Sequence, residues 1–260
     1  MGYFSFADVR LAATYNLAID ESQIFRTPKK DYETVSVPGM NGSLIFSNNR
    51  FENLTIPVEC FIRQDFPTNF RNLMNFLLSV DGYQKLIFPQ DEGHFRMALF
   101  RVATEGQTGS FNKSGKVTIE FECKPQRFRD DGDSFIPYQT VSMSQVDSAL
   151  VDTAAVGLED YNTITNPTLF ESKPLLRFYG NGTLTVNGTR VVVSGSSASN
   201  YIDIDCELMA CYRGSANMGS YVSLPDGGYP VLKAGSNAVS YSSDTTNAIT
   251  LRIKPRWWDL

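Results

Sequence analysis

The sequence is poor in the residues and motifs on which catalytic, metal and phosphate sites depend. Its 260 residues include a single histidine, His94, which lies beside Asp91 and Glu92 in a polar segment and is expected at the surface. Neither G-x-S-x-G nor H-E-x-x-H occurs, and the phosphate-binding patterns G-x-x-x-x-G-K-S/T and G-x-G-x-x-G are also missing. We therefore predict a protein that is not an enzyme and that has no metal site and no cofactor.

Long apolar segments are missing as well. No run of apolar residues reaches the length of a bilayer span, and the first residues lack the basic and apolar regions of a signal peptide. Phe6 stands where a myristoylation signal needs Ser or Thr. The sequence thus predicts a protein that is made in a cytoplasm and does not insert into a membrane.

Basic residues are outnumbered, and cysteines are few. The formal net charge is −5 and the pI is about 5.0, which disfavours a general electrostatic attraction to nucleic acid but suits a surface that DNA passes without binding. Cys60, Cys123 and Cys206 fall on the apolar positions of alternating segments, and Cys211 does not complete a C-x-x-C pair with Cys206. We expect thiols in a hydrophobic core and no disulfides.

Alternation of apolar and polar residues marks the end of a first domain at Val117–Cys123. Pro125 follows, which cannot donate to a β-ladder, and the charged residues Asp130, Asp131 and Asp133 are expected to be solvated linker charges. We predict a mainly β protein with an N-terminal domain over residues 1–135, in which strands of a β-sandwich or barrel accompany one helix. Residues 134–165 are predicted to form a linker or an irregular entry into a second domain.

The first domain contains one helix signal and one hairpin signal. Apolar residues recur at helical spacing over about 66–81, with Asp65 or Thr68 as the cap and Pro67 in the first turn. Before the strand at Leu54–Ile62, flexible backbone separates two apolar segments, a pattern typical of a protruding hairpin or arm, over about 27–51. Its candidate interface residues are Pro38, Gly39, Met40 and Gly42.

The second half, residues 136–260, reads as a β-sandwich of short alternating strands joined by Gly and Asn turns. Asp203 and Asp205 share one face of a strand. They could form an acid/base pair or hold a cation, but an exposed strand face explains them better. Trp257 and Trp258 close the chain, and we predict a tail that docks through these rings on its own chain or on a neighbour.

Segments along the whole chain resemble the distal tail (Dit) proteins of long-tailed bacteriophages. The resemblance implies an N-terminal ring-forming domain, a C-terminal galectin-like β-sandwich and a structural role without catalysis. The segments are Lys124-Pro-Gln-Arg-Phe128, Asn166-Pro-Thr168, Ser172-Lys-Pro-Leu-Leu176, Asn187-Gly188, Asp203-Ile-Asp-Cys-Glu207, Tyr229-Pro-Val-Leu232, Gly235-Ser-Asn237 and Ile253-Lys-Pro-Arg-Trp257.

If the resemblance holds, six copies form a ring at the distal end of the virion tail, after assembly in the host cytoplasm. The expected partners are other copies of the chain, the tail tube protein, the tail hub or tip protein and other baseplate proteins. DNA is expected to pass through the ring without specific binding, and residues 27–51 to form the arm that reaches a neighbour. The alternative is a carbohydrate-binding sandwich that recognises the host, with a glycoside hydrolase using Asp203 or Asp205 as a more distant possibility.

Overall fold

A computed structural model describes residues 3–20, 24–108, 113–138, 163–243 and 251–260. These residues are mainly β-structure, as predicted. They divide into two compact units, a first unit of residues 1–128 together with Leu260 and a second unit of residues 129–259, whereas the sequence places the boundary after residue 135. Most of the predicted linker at 134–165 lies outside the described residues, and its two ends belong to strands.

Among its described residues, the first unit contains one main sheet and two helices, a short helix α1 in addition to the one that the sequence predicts. Its strands follow the order β2-β1-β7-β8-β9-β6-β3, and β4 pairs with β5 in a separate two-stranded sheet. The elements are β1 (Ser5–Phe6), β2 (Val9–Arg10), α1 (Leu11–Thr14), β3 (Leu17–Asp20), β4 (Lys30–Ser36), β5 (Ser43–Phe51), β6 (Leu54–Ile62), α2 (Phe66–Ser79), β7 (Gln84–Ile87), β8 (His94–Thr108) and β9 (Gly115–Arg129).

Helix α2 buries one stripe of its surface against the main sheet. Phe66, Leu73 and Leu77 are buried in a core that also contains the inward residues of β6 and β9, as expected of an amphipathic helix that covers one sheet face. Asp65 occupies the position before the helix in a left-handed conformation, but its side chain makes no capping hydrogen bond. The predicted cap by Asp65 is therefore wrong, because this backbone geometry differs from that of a normal N-cap.

Strand β9 is longer than the alternation predicted. Its residues continue through Pro125 to Arg129, and the carbonyl of Pro125 accepts a hydrogen bond from Arg96 Nη1 at 3.2 Å. The next residues, Asp130–Gly132, form a 3₁₀ turn in which Gly132 is buried. The chain therefore stays in regular, partly buried structure as far as Arg129, whereas Asp130 and Asp131 are exposed, as expected of solvated charges.

In the second unit, the strands form two sheets. The six-stranded sheet has the order β10-β20-β12-β15-β16-β17 and the five-stranded sheet has the order β11-β19-β13-β14-β18. The strands of these sheets are β10 (Ile136–Tyr138), β11 (Thr163–Asn166), β12 (Leu175–Phe178), β13 (Gly182–Val186), β14 (Thr189–Val193), β15 (Ile202–Asp205), β16 (Ala210–Arg213), β17 (Ala216–Asn217), β18 (Val222–Ser223), β19 (Gly235–Ser243) and β20 (Leu251–Lys254). A last short strand, β21 (Trp258–Asp259), is part of neither sheet.

Both sheets of the second unit contribute to one hydrophobic core, so the unit is a β-sandwich, as predicted. Phe178 of the six-stranded sheet and Tyr241 of the five-stranded sheet meet edge to face, with ring centroids 6.0 Å apart. Asn187 and Gly188 have φ angles of 50° and 89° in the tight turn between β13 and β14, as a type I′ hairpin turn requires.

All four cysteines are free thiols and buried. Burial raises the pKa of the Cys60 and Cys123 thiols to about 12, because a thiolate would lose its hydration inside the core. The expectation of core thiols is therefore confirmed for the four residues. Within the described ranges, no helix is both long and apolar enough to cross a membrane.

Candidate assembly surfaces

The hairpin formed by β4 and β5 carries four of the six candidate interface residues at its tip. The Met40 N–H donates a hydrogen bond to the Val37 carbonyl at 3.1 Å, and Gly39 has a φ of +83°. Pro38 and Gly39 thus occupy the two central positions of a turn of type II, which requires a positive φ at its third residue. Gly42 also has a positive φ, +86°, so the tip depends on both glycines.

The hairpin exposes its apolar side chains. Every residue from 32 to 50 is exposed, although the segment contains many large apolar residues. An isolated two-stranded ribbon cannot bury such residues by itself, and a cluster of this kind on a soluble chain usually marks an interaction surface. The exposed large apolar residues of the hairpin are Tyr32, Val35, Val37, Met40, Leu44, Ile45 and Phe46.

Backbone and side-chain bonds fix the base of the hairpin. The Glu52 N–H donates to the Lys29 carbonyl at 2.8 Å, and Arg26 Nη1 donates to the carbonyl of Thr55 in β6 at 3.1 Å. Further out, Arg50 donates to the Asp31 carboxylate and lowers the pKa of that carboxyl group. The hairpin is thus anchored at its base. In the described sheets, its two strands pair only with each other.

Both tryptophans dock on the second unit itself. Trp257 is buried in its core, so close to Gly132 that a Cβ there would collide with the backbone nitrogen of Trp257. Trp258 stacks on Phe170 with ring centroids 4.4 Å apart and donates from Nε1 to the Glu171 carbonyl at 2.8 Å. The tail thus packs on its own chain, one of the two predicted destinations, and contact of these rings with a neighbouring copy stays a prediction.

Asp203 and Asp205 are buried, which contradicts the prediction of an exposed strand face. The Asp203 carboxylate accepts hydrogen bonds from Arg177 Nε at 2.6 Å and from Arg177 Nη2 at 2.8 Å. The Asp205 carboxylate accepts hydrogen bonds from both terminal nitrogens of Arg256, each at 2.8 Å. Each carboxylate therefore lies in a two-bond pair with a guanidinium, a geometry that favours the charged form.

The pKa of Asp205 also argues against a role as a catalytic acid. Burial alone would raise this pKa, but the bonds from Arg256 and from the backbone N–H groups of Leu208 and Glu207 outweigh burial and hold the pKa below its ordinary value of 3.8. A glycosidase acid needs the opposite shift, because it must stay protonated until it donates. Asp205 is therefore suited to a fixed charge pair.

Arg177 lies between two aromatic rings as well as against Asp203. Its guanidinium carbon is 4.6 Å from the Phe135 ring centroid and 4.3 Å from the Tyr201 centroid. Sequence reasoning missed this residue, although the register offers a signal, since Arg177 lies directly opposite Asp203 in the β12–β15 pairing. Two nearby carboxylates are paired too. Arg129 binds Asp131, which stays exposed as predicted, whereas Lys254 binds the partly buried Asp133 at 2.6 Å, so Asp133 is not a solvated linker charge.

The single histidine belongs to a charge cluster in the first unit. Asp91 binds Arg127 through three hydrogen bonds of 2.6–2.9 Å, and Arg127 Nη2 lies 3.2 Å from His94 Nδ1. His94 is partly buried and not a simple surface side chain, because these groups pack beside it. In the described part of the chain, no group of three or more His, Cys, Asp or Glu residues could hold a metal ion.

Comparison with known proteins gives a family match within the first unit. Residues 14–123 match the family model described as the phage tail protein RIFT-related domain, so this part of the chain is similar to a phage tail domain. No curated protein matches the sequence.

Solved structures extend the similarity to the whole chain. The SPP1 Dit protein, described as a paradigm of the hub adsorption apparatus in phages that infect Gram-positive bacteria, aligns with a TM-score of 0.62 and 14% identity over 97% of each chain. The phage p2 baseplate in its activated conformation aligns with TM-scores of 0.54 with calcium and 0.55 with strontium, at 9% and 10% identity. Coverage of this chain and of the matched chain is 93% and 90% with calcium, and 97% for both with strontium. The chain therefore has the fold of a distal tail protein, and the resemblance seen in its sequence is confirmed.

Proposed function

We propose that this protein is a structural subunit of a phage tail hub, whose copies form a ring that joins the tail tube to the baseplate or tail tip. The observation that carries the proposal is the β4–β5 hairpin, which exposes every residue from 32 to 50 on a unit that matches a phage tail domain. The fold shared with a hub protein and with baseplate chains supports a place at the distal end of the virion tail.

The geometry of a closed ring explains why a projecting hairpin is needed. Identical subunits close into a ring only through two different surfaces that meet head to tail, and six copies require a rotation of 60° at each contact. The hairpin supplies one of these surfaces, and the body of the next copy supplies the other. The tail tube protein, the tail hub or tip protein and other baseplate proteins then bind the two sides of the ring, during assembly in the host cytoplasm.

Removal of the hairpin tests the ring directly. Replacing residues 32–50 with a two-residue Asn-Gly turn deletes only exposed residues and keeps the bond between Glu52 and Lys29 at the base. We expect the full-length protein to form rings by light scattering and electron microscopy, and the shortened protein to remain a folded monomer. Rings that persist without the hairpin would contradict the proposal, while circular dichroism verifies that the shortened chain is folded.

The proposed lumen lets DNA pass because the protein as a whole does not attract it. With a net charge of −5 per copy, a ring of six has no general electrostatic attraction to phosphate. Purified rings are expected to leave a short DNA duplex unshifted in a mobility assay at about 50 mM salt, the low-salt condition that favours binding. Tight binding that weakens steeply with salt would contradict passage without retention.

A further inference from the structure

Three Asn-Gly dipeptides occur in the chain, at residues 41–42, 181–182 and 187–188. Such a dipeptide can lose the asparagine amide spontaneously, because glycine has no side chain to hinder the approach of its backbone nitrogen to the side-chain carbon of the asparagine. The reaction requires that the side chain and the following nitrogen be free to meet. The surroundings of each dipeptide therefore decide which one reacts in the folded protein.

The amide of Asn187 is held by hydrogen bonds, although the residue is exposed. Its Nδ2 donates to Asn237 Oδ1 at 2.7 Å, and its Oδ1 accepts from the Ala238 N–H at 3.0 Å. Its backbone N–H donates to the Ala238 carbonyl at 2.8 Å. The group that must leave and the carbonyl that must be attacked are thus both bound to β19, and reaction has to wait for a local opening of these bonds.

The dipeptide at residues 181–182 is held mainly through its glycine. Gly182 begins β13 and pairs with both neighbouring strands, β14 and β19, so its nitrogen lies inside a sheet. A Cβ at Gly182 would lie 2.5 Å from the Ser242 carbonyl oxygen, which leaves this backbone little room to turn. Asn181 Oδ1 also accepts a hydrogen bond from the Ser196 N–H at 3.2 Å. Approach of the two reacting groups is therefore restricted here as well.

Asn41 and Gly42 lie in the loop between Ser36 and Ser43, beyond the last pair of the β4–β5 ladder. Both residues are exposed, and within the described ranges the Asn41 amide has no hydrogen-bond partner. A Cβ at Gly42 would meet no atom within 4 Å, so the backbone has room to turn. Of the three dipeptides, this one combines a free amide with an unconfined glycine.

We propose that Asn41 is a site of spontaneous deamidation, at which the folded chain is converted to aspartate and isoaspartate. The Gly42 nitrogen loses its proton and attacks Cγ of Asn41, which closes a succinimide ring. The bond from Cγ to Nδ2 breaks, and Nδ2 leaves as ammonia with the proton that the glycine nitrogen gave up. Water then opens the ring. Cleavage of the ring bond at Cγ gives aspartate, and cleavage at the main-chain carbonyl gives isoaspartate, so the net reaction consumes one water and releases one ammonia.

The product changes the hairpin tip in two ways. Each converted chain gains one negative charge, and isoaspartate also adds a methylene to the backbone immediately before Gly42. Because the tip belongs to the candidate assembly surface, copies of different age would present different surfaces if the proposed function holds. The deamidation itself does not rest on the proposed function, since it concerns the single folded chain.

Mass spectrometry of the full-length protein tests this assignment. The chain is kept at neutral and at mildly alkaline pH and is then cleaved with pepsin at low pH, where the reaction is slow. Isotope-resolved peptide masses give the converted fraction at each dipeptide. The same incubation in guanidinium chloride is the control, because unfolding removes the bonds that hold Asn187 and Gly182. The variant Asn41→Gln identifies which acidic form, separated by ion exchange, comes from this site.

In the folded chain, Asn41 is expected to deamidate at least about tenfold faster than Asn181 and Asn187, since a local opening must precede reaction at those two. The rate should rise with pH, because the glycine nitrogen must lose a proton. In guanidinium chloride the three rates should become similar, and the main acidic form should be missing from Asn41→Gln.

Two results would overturn the proposal. One is a folded chain in which Asn181 or Asn187 reacts as fast as Asn41. The other is an Asn41 rate that is far lower in the folded chain than in guanidinium chloride, which would mean that the fold protects this site too. Rates that stay apart after unfolding would also contradict the argument, because the neighbouring residues, and not the fold, would then select Asn41.

Discussion

Asp205→Asn is expected to lower the free energy of unfolding of the second unit by about 3 kcal/mol, because removing one member of a buried ion pair leaves the other charge without compensation. Asp205 is 2% exposed, and Arg256 binds its two oxygens at 2.8 Å. Asparagine keeps one oxygen for the backbone N–H groups of Glu207 and Leu208, so the loss should lie at the low end of the range for such pairs. Both tryptophans belong to the second unit, and their fluorescence during urea unfolding measures it.

An exposed pair of the same type provides the control. Arg190 binds Asp226 through two side-chain bonds of 3.1 Å and 3.0 Å, a geometry close to that of the buried pair, but on the surface of the same unit. Asp226→Asn is expected to change the stability little, since solvent screens exposed ion pairs. Equal losses in the two variants would show that burial of Asp205 is not the source of its contribution.

The effect of Asp205→Asn should depend on pH in a defined direction. The folded-state pKa of Asp205 is lower than its ordinary value of 3.8, so the carboxylate stabilises the fold above that value and loses this contribution as the pH falls through the folded pKa. The stability difference between the two proteins should be full at pH 7 and pH 5 and should narrow below about pH 3.8. A difference that stays constant down to pH 3 would contradict a contribution from the ionised pair.

Periodicity alone predicts most of the strands and the two cores. Leu54–Ile62 alternates through nine residues, and in the structure each alternate residue from Leu54 to Ile62 is buried. The same rule places Cys60 and Cys123 inside the first unit, where they lie. These predictions succeed because a half-buried strand imposes a local, two-residue period on the chain, so they require no knowledge of the strand's partners.

The charge pairs could not be predicted in the same way, because their partners come from distant parts of the chain. Alternation places Asp203 and Asp205 on the strand face away from the core, and the usual inference is that such a face meets water. Arg177 and Arg256, separated from them by 26 and 51 residues, cover that face instead. Only the pairing of β12 with β15 reveals that a cation lies opposite Asp203.

The β4–β5 hairpin could be predicted from the sequence only in part. Pro38, Gly39 and Gly42 identify its turn from the sequence, because proline fixes one φ angle and glycine permits the positive φ that follows. That its apolar residues fall on both faces depends on the register between Ser36 and Ser43 at the tip, since a shift of one residue would regroup all of them. The sequence therefore predicts which residues form the hairpin, and the structure shows which of its apolar side chains share a face.

Asn237→Ala is expected to destabilise the second unit even more, by roughly 4 kcal/mol, because it leaves several buried backbone groups without partners at about 1–3 kcal/mol each. Asn237 is 0% exposed. Its Oδ1 accepts hydrogen bonds from the Lys233 N–H and from Asn187 Nδ2, both at 2.7 Å. Its Nδ2 donates to the carbonyls of Ile164, Lys233 and Gly235 at 2.9–3.1 Å. One amide thus joins β11, the start of β19 and the turn after β13, and alanine can replace none of these bonds.

Asn217→Ala is the matched control for this prediction. Asn217 is exposed, and its side-chain oxygen accepts one hydrogen bond, from the Gly219 N–H at 2.8 Å. Water can replace that bond at the surface, so the variant should lose less than about 1 kcal/mol in the same urea unfolding measured by tryptophan fluorescence. A loss for Asn237→Ala no larger than for Asn217→Ala would mean that the sandwich relaxes to satisfy the exposed groups. The joint between β11 and β19 would then depend on their backbone ladder, from Thr163 opposite Ala238 to Asn166 opposite Gly235, and not on the amide.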